Sequence, residues 1–323
     1  MSARARVRLL VAAAALAAAV AAGGIALLSG EDGEADEAQR PPLELGVVLA
    51  DGPEAKALLA AEQAYDRGRS DDARRAFDAV LGRDPSSVPA AVGAAIAAWP
   101  EGTVESLSEL VLENPKSGVA RLHLGLVLFT DGEQEAAVEQ WREAERRDPD
   151  SPAAIRAEDL LHPEMPPGRP FFIPSAGSPS GLGELGPKAQ LDELERRAQE
   201  GGVLDRVLYG SVLQRLGRPV SAREAFDDAV ELDRGDLQAL TAAAVARFDK
   251  DDPSRAFSRL GPLAAANPRS AVVRFHLGLM LVWVGQVKES RRQLELAREA
   301  APTSVYGREA GRLLSRLEDV RTS

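Results

Sequence analysis

Residues 121–149 read RLHLGLVLFTDGEQEAAVEQWREAERRDP, and residues 274–302 read RFHLGLMLVWVGQVKESRRQLELAREAAP. The two stretches align without a gap at an offset of 153. Arg121, His123, Leu124, Gly125, Leu126, Leu128, Gly132, Ala144 and Pro149 meet identical residues at 274, 276, 277, 278, 279, 281, 285, 297 and 302. Self-similarity of this kind decides the architecture before any local propensity does. Working outward, a shorter period emerges. Pro115 and Pro149 are 34 residues apart, as are Arg234, Pro268 and Pro302, whereas Pro85 and Pro115 are 30 apart, which places a shortened repeat at the turn after Trp99-Pro100. Each unit is a helix with a central Gly or Ala, a glycine turn, a second helix carrying Ala and then an aromatic or Leu, and a closing Pro.

Gly125, Gly210 and Gly278 let the two helices of a hairpin approach closely, with Ala73, Ala137 and Ala222 as the matching small residues on second helices. Phe77, Trp141 and Phe226 fill the space between hairpins. The glycines at 68, 132, 217 and 285 suit a left-handed helix end, and the prolines start the next connection without breaking a helix. No hairpin buries its own apolar face, so neighbours must stack. The pattern resembles the tetratricopeptide repeat family over most of 54–320. The resemblance is strongest in 118–151, through Leu124, Gly125, Leu128, Gly132, Ala137, Trp141, Ala144 and Pro149. It weakens where Ser290 replaces the usual alanine and Arg234 the proline, and 88–115 and 237–270 are degenerate copies. The resemblance implies an all-α, TPR-type α-solenoid in two related halves of about three helical hairpins each. It also implies a concave groove, lined by first helices, that binds an extended or helical protein segment.

Ahead of the repeats, Leu9 to Leu28 reads LLVAAAALAAAVAAGGIALL, preceded by Arg4, Arg6 and Arg8 and followed by EDGEADE. Twenty apolar residues suffice for a single transmembrane helix, and the basic flank favours a cytoplasmic N-terminus with the repeats outside the membrane. The expected layout is a basic N-terminus at 1–8, a signal-anchor helix at 9–28, an acidic Pro/Gly linker at 29–53, a first array at 54–162, a Pro/Gly-rich insertion at 163–187 and a second array at 188–320. A cleaved signal, with Ala19-Val20-Ala21 as small residues at the cut, is the competing reading and gives a secreted or periplasmic protein. Arginine makes up 34 of the 39 basic residues, which hints at a GC-rich bacterial genome.

Composition removes most chemistry. The 323-residue chain has a net charge of −11. Because Arg4, Arg6 and Arg8 are the only charged side chains before residue 31, the remainder carries −14. Such a chain repels polyphosphate, and only 4% of its residues are aromatic, so nucleic-acid binding is disfavoured. Cysteine is absent, which excludes disulfides, thiolate metal sites and a cysteine nucleophile. Three histidines remain: His123 and His276, equivalent by repeat, read as inherited packing or a solvated face, and His162 has no ligand spacing around it. Gly181 to Gly186 matches GxGxxG, but a Pro/Ser loop rather than a strand precedes it, so it reads as linker. Asp249, Asp251 and Asp252 read as turn capping rather than a calcium loop. No enzyme, cofactor, metal or small-molecule substrate is expected.

The groove is the remaining candidate. Carrying the family's phase over, its lining is Val119, Leu122, Leu126, Phe129 and Thr130 in one strong repeat and Val272, Phe275, Leu279, Val282 and Trp283 in the other. Val92, Ile96 and Trp99, then Val245 and Phe248, come from neighbours. An apolar stripe of this kind is either a protein-binding surface or a contact already filled from within. The insertion carries Phe171-Phe172-Ile173 between Pro170 and Pro174, which a free linker would not, so this segment is a candidate for filling the groove in cis. The function expected is a membrane-tethered extracytoplasmic scaffold or adaptor, by architectural analogy in envelope assembly, secretion or cytochrome c maturation. The alternative is a structural, self-associating repeat protein whose groove is filled in cis or by another copy.

Overall fold

The turn glycines set the hairpins. Gly68, Gly132, Gly217 and Gly285 adopt φ of 76°, 88°, 70° and 73°, left-handed values that stop a first helix and send the chain back along it. In the computed structural model, residues 40–322 are described, apart from 48, 50, 51 and 178. Among them are fifteen α-helices and no strand. In the first array the hairpins are α1 (Pro53–Asp66) with α2 (Ser70–Leu81), α3 (Val88–Ala97) with α4 (Thr103–Glu113), and α5 (Gly118–Thr130) with α6 (Gln134–Arg147), followed by α7 (Pro152–Leu161). After a loop with a short 3₁₀ turn, Leu182–Glu184, comes α8 (Pro187–Glu200). The second array continues with α9 (Val203–Arg215) and α10 (Pro219–Leu232), α11 (Leu237–Val245) and α12 (Ser254–Ala266), α13 (Ala271–Trp283) and α14 (Val287–Ala300), and α15 (Val305–Thr322). The architecture is an all-helical, TPR-like solenoid.

Small residues bring the paired helices together as the sequence pattern requires. A Cβ built at Gly210 would lie 2.6 Å from the Phe226 ring, and one at Gly278 would lie 2.8 Å from Leu294, so α9 packs on α10 and α13 on α14 at glycine distance. Phe77 and Phe226 are fully buried and Trp141 nearly so; Phe226 and Trp141 lie against Gly210 and Gly125 of their own hairpins, and Phe77 against Gly93 of the next. Four starts are capped by side chains: Ser117 accepts from the Ala120 N–H at α5, Ser151 from Ala154 at α7, Asp236 from Ala239 at α11 and Ser304 from Gly307 at α15.

The two arrays are joined by polar contacts. Asp150 Oδ1 accepts from the Val220 and Ser221 N–H groups at 2.8 and 2.9 Å, so a residue of the first array caps α10 in the second. Lys250 Nζ is fully buried and donates to Asp159 Oδ1 at 2.5 Å and to the Pro166 carbonyl at 2.9 Å. Glu158, also buried, accepts from the Lys250 N–H at 3.1 Å and from Arg169 at 2.6 Å. Asp249 Oδ1 accepts the N–H groups of Asp251 and Asp252, closing the turn that presents Lys250.

The apolar segment 9–28 lies outside the described residues, and among the described helices none is long and apolar enough to cross a membrane. The segment 41–47, which composition reads as linker, is packed instead, for reasons that belong to the groove.

Candidate functional site

His123 on α5 and His276 on α13 organise the two grooves. Both are fully buried. Nδ1 of His123 lies 2.7 Å from the Val119 carbonyl and Nδ1 of His276 2.8 Å from the Val272 carbonyl, each one turn back on its own helix. A carbonyl can only accept, so Nδ1 carries the proton and Nε2 is left bare. That bare nitrogen meets a main-chain donor: the Glu44 N–H at 3.0 Å in the first array and the Ile173 N–H at 3.0 Å in the second. Burial holds both imidazoles neutral, pushing each from 6.5 down to about 4.

The donors belong to two extended segments, here called straps, that run along the first helices. Strap 2, residues 170–175, is read by one side chain from each successive first helix. Gln214 on α9 accepts from the Phe172 N–H at 2.9 Å, His276 on α13 from Ile173, and Gln238 on α11 from Ser175 at 2.9 Å. Tyr306 on α15 donates to the same Gln238 oxygen at 3.1 Å. The Phe172 ring is fully buried, stacked on His276 at 4.5 Å and edge-on to Phe226 at 6.0 Å.

Strap 1, residues 41–47, uses the same devices. Glu62 on α1 accepts from the Leu45 N–H at 3.0 Å and His123 from Glu44, while the Tyr65 hydroxyl donates to the Pro41 carbonyl at 2.7 Å. Burial raises the Glu62 carboxyl, opposed by the Leu45 N–H, and pushes the Tyr65 hydroxyl up to about 12. Leu43 and Leu45 are buried in one cluster with Val92 and Ile96. Glu44 points outward to Arg156 on α7 at 2.9 Å.

The proposed groove positions therefore fare unevenly. Val92 and Ile96 are buried in the cluster that also takes up Leu43 and Leu45 of strap 1. Leu122 and Leu126 instead pack with Ala137, Trp141, Ala153 and Ala157, inside the stack. The correction is one of phase: neighbouring positions on a helix are about 100° apart, so placing His123 in the groove turns Leu122 and Leu126 toward α6 and α7. Phe275 is buried beside His276 and Tyr306. Val282 and Trp283 are buried, with Trp283 edge-on to Phe248. Trp99, Val119 and Leu279 are half-buried. Thr130 is exposed, and Phe129, 52% exposed, rests on the Trp141 ring at 5.7 Å. An open apolar stripe is thus not what these residues form.

Sequence reasoning missed strap 1 and the histidines' role. The signal for the first was present: Leu43, Leu45 and Val47 alternate with other residues behind Pro41-Pro42, a period-two pattern inside a stretch otherwise judged by its acids and glycines. His162 stays at the array junction, 3.1 Å from Asp251 and 3.4 Å from Glu164. Among the described residues no group of three or more potential metal ligands converges.

A tetratricopeptide repeat profile matches residues 58–106 and 104–152. The two matched stretches span most of the first array, from α1 to the start of α7. No sequence match is found among curated proteins. Solved structures with similar helical arrangements include a tetratricopeptide repeat protein from Parabacteroides merdae, 12% identical over 82% of this chain and 98% of that one, with a TM-score of 0.34. A thermophilic TPR protein from Thermus thermophilus is 20% identical over 60% of this chain and 98% of its own, with a TM-score of 0.29. The TPR2AB domain of yeast Sti1, solved as a complex with pHSP90, is 13% identical over 82% and 98%, with a TM-score of 0.30.

Proposed function

We propose that this TPR-type repeat protein is a protein–protein interaction scaffold, tethered to the outer side of a bacterial cytoplasmic membrane by residues 9–28. One observation carries the scaffold reading: in both arrays, side chains from the first helices hold the main chain of an extended segment, which is how such a surface holds a peptide. The straps occupy those positions in cis, so trans partners dock on the faces the straps leave free. The tether rests on the twenty-residue apolar run, the basic residues before it and the acidic ones after it. Envelope assembly, secretion and cytochrome c maturation are the settings this layout suits by analogy.

Two measurements test the reading. The full chain should stay in the membrane pellet through an alkaline carbonate wash, and a chain lacking residues 1–30 should not; release of the full chain would remove the tether. Photoreactive residues placed in membranes at Gln238, which holds strap 2, and on the second helices should crosslink a defined foreign protein from the second helices and only strap residues from position 238. Crosslinks confined to other copies of the chain would instead favour the self-associating alternative.

A further inference from the structure

Five arginines from four parts of the second half converge on one open cleft of about 400 Å³. Arg169 comes from the loop after α7, Arg223 from α10, Arg247 from the end of α11, and Arg255 and Arg259 from α12. Pro219, Val220 and Ala246, all half-buried, lie among them and give the cleft an apolar floor above the buried Phe248. Three of the arginines have partners: Arg169 binds Glu158, Arg247 makes a two-pronged contact with Asp227 at 2.9 and 2.8 Å, and Arg255 binds Asp249 at 2.6 Å. Arg223 and Arg259 are exposed and make no hydrogen bond or ion pair with any described residue. Both face a cleft whose lining holds a single carboxylate, Asp249.

We propose that this cleft docks an acidic segment of a partner protein, with carboxylates on Arg223 and Arg259 and an apolar side chain over Val220 and Ala246. The inference rests on the scaffold reading and names a face that the straps leave open. Charge complementarity selects the partner. A guanidinium matches a carboxylate with two parallel hydrogen bonds, and two unpaired guanidiniums beside three paired ones crowd like charge that an incoming carboxylate relieves. The apolar floor calls for an aliphatic or aromatic residue among the acids. Polynucleotides and anionic lipid surfaces fit less well, because the arginines are confined to one cleft of about 400 Å³ and an extended array of phosphates would also lie against the acidic remainder of a chain that carries −11.

The test uses the full chain in detergent at about 0.15 M salt, where long-range charge effects are screened. A fluorescein-labelled peptide of sequence Glu-Asp-Leu-Glu-Asp-Phe-Glu is titrated by anisotropy, beside an analogue with amides in place of the acids. Arg223→Glu with Arg259→Glu should weaken binding by roughly tenfold or more. The pair Arg75→Glu with Arg292→Glu changes net charge equally at residues 71% and 73% exposed and far along the chain. It should change affinity by less than about threefold. The amide analogue should not bind. Equal weakening by both pairs would show attraction by overall charge and overturn the site. So would absence of binding at about 1 mM peptide, or cleft-dependent binding to phosphatidylglycerol vesicles with none to the peptide. Circular dichroism and the unfolding midpoint of the cleft pair should match wild type, since both side chains are exposed. If crosslinking finds a partner on another face while the cleft variants bind normally, the cleft fails and the scaffold reading stands. If the peptide binds as expected and no partner crosslinks in membranes, the reverse holds.

Discussion

His123 and His276 each face a carbonyl on one nitrogen and an N–H on the other, which leaves a single tautomer and no room for a second proton. In the unfolded chain each titrates near 6.5, and in the fold near 4. The unfolded state therefore binds more protons across that interval. The stability each neutral histidine contributes is complete above about pH 6.5 and is lost as pH falls toward 4, on the order of 3 kcal/mol per histidine. Glu145 acts in the opposite sense. Burial and the nearby Glu158 raise it to about 7, so it adds stability as pH falls from 7 toward 4.5. A double variant, His123→Gln with His276→Gln, keeps an acceptor for the strap while removing the titration. Urea unfolding from pH 7 to 4 should show a flatter stability profile than wild type; parallel profiles would refute the assignment. At this scale the sequence was half legible. The identity of the two histidines across 153 residues marked them as equivalent, but nothing in a single chain distinguishes a buried acceptor from a packed ring until the donor is found 79 or 103 residues away.

At the scale of elements, the straps reveal what was duplicated. Glu44 and Ile173 are equivalent by their histidines and lie 129 residues apart, whereas α1 and α9 align at an offset of 149 and α5 and α13 at 153. The first step is the room taken by α8 and its loop, and the second is the shortened repeat at 88–115. The repeating unit is thus a strap followed by three hairpins and a closing helix. The helices were readable in advance because glycines, alanines and large residues recur at a fixed period, and so was the need to bury Phe171-Phe172-Ile173. The groove register was not: a one-residue shift in phase leaves every apolar position apolar, so Leu122 and Leu126 satisfy the pattern equally well inside the stack. Phe172 should be the anchor of strap 2. Phe172→Ala removes a fully buried ring packed on His276 and Phe226 and should cost about 3–5 kcal/mol by chemical denaturation. Phe171→Ala, at a half-buried neighbour, should cost clearly less. Similar losses for the two would mean the strap is not held by that ring.

At the scale of the molecule, stacked repeats are coupled through their nearest neighbours, and cooperativity depends on the weakest junction. Here the junction is the polar contact between arrays. Lys250→Met removes the ammonium that pairs with the buried Asp159 and donates to the Pro166 carbonyl, and should cost about 3–5 kcal/mol. Asp150→Ala uncaps α10 and should cost about 1–2 kcal/mol. Followed by a groove fluorophore in each array, urea unfolding of the Lys250 variant should resolve into two transitions where wild type shows one; a single shifted transition would place the coupling elsewhere.

The straps also set a threshold for any competitor. Strap 1 is joined to α1 through residues 48–52 alone, and a tether that short keeps its local concentration in the millimolar range or above. A rival peptide present at about 1 μM would have to bind the empty groove roughly a thousandfold more tightly than the strap to displace half of it. Two such occupied grooves act as built-in insulation: they shield the peptide-holding surfaces of the molecule from chance partners, and leave recognition to surfaces with no resident ligand.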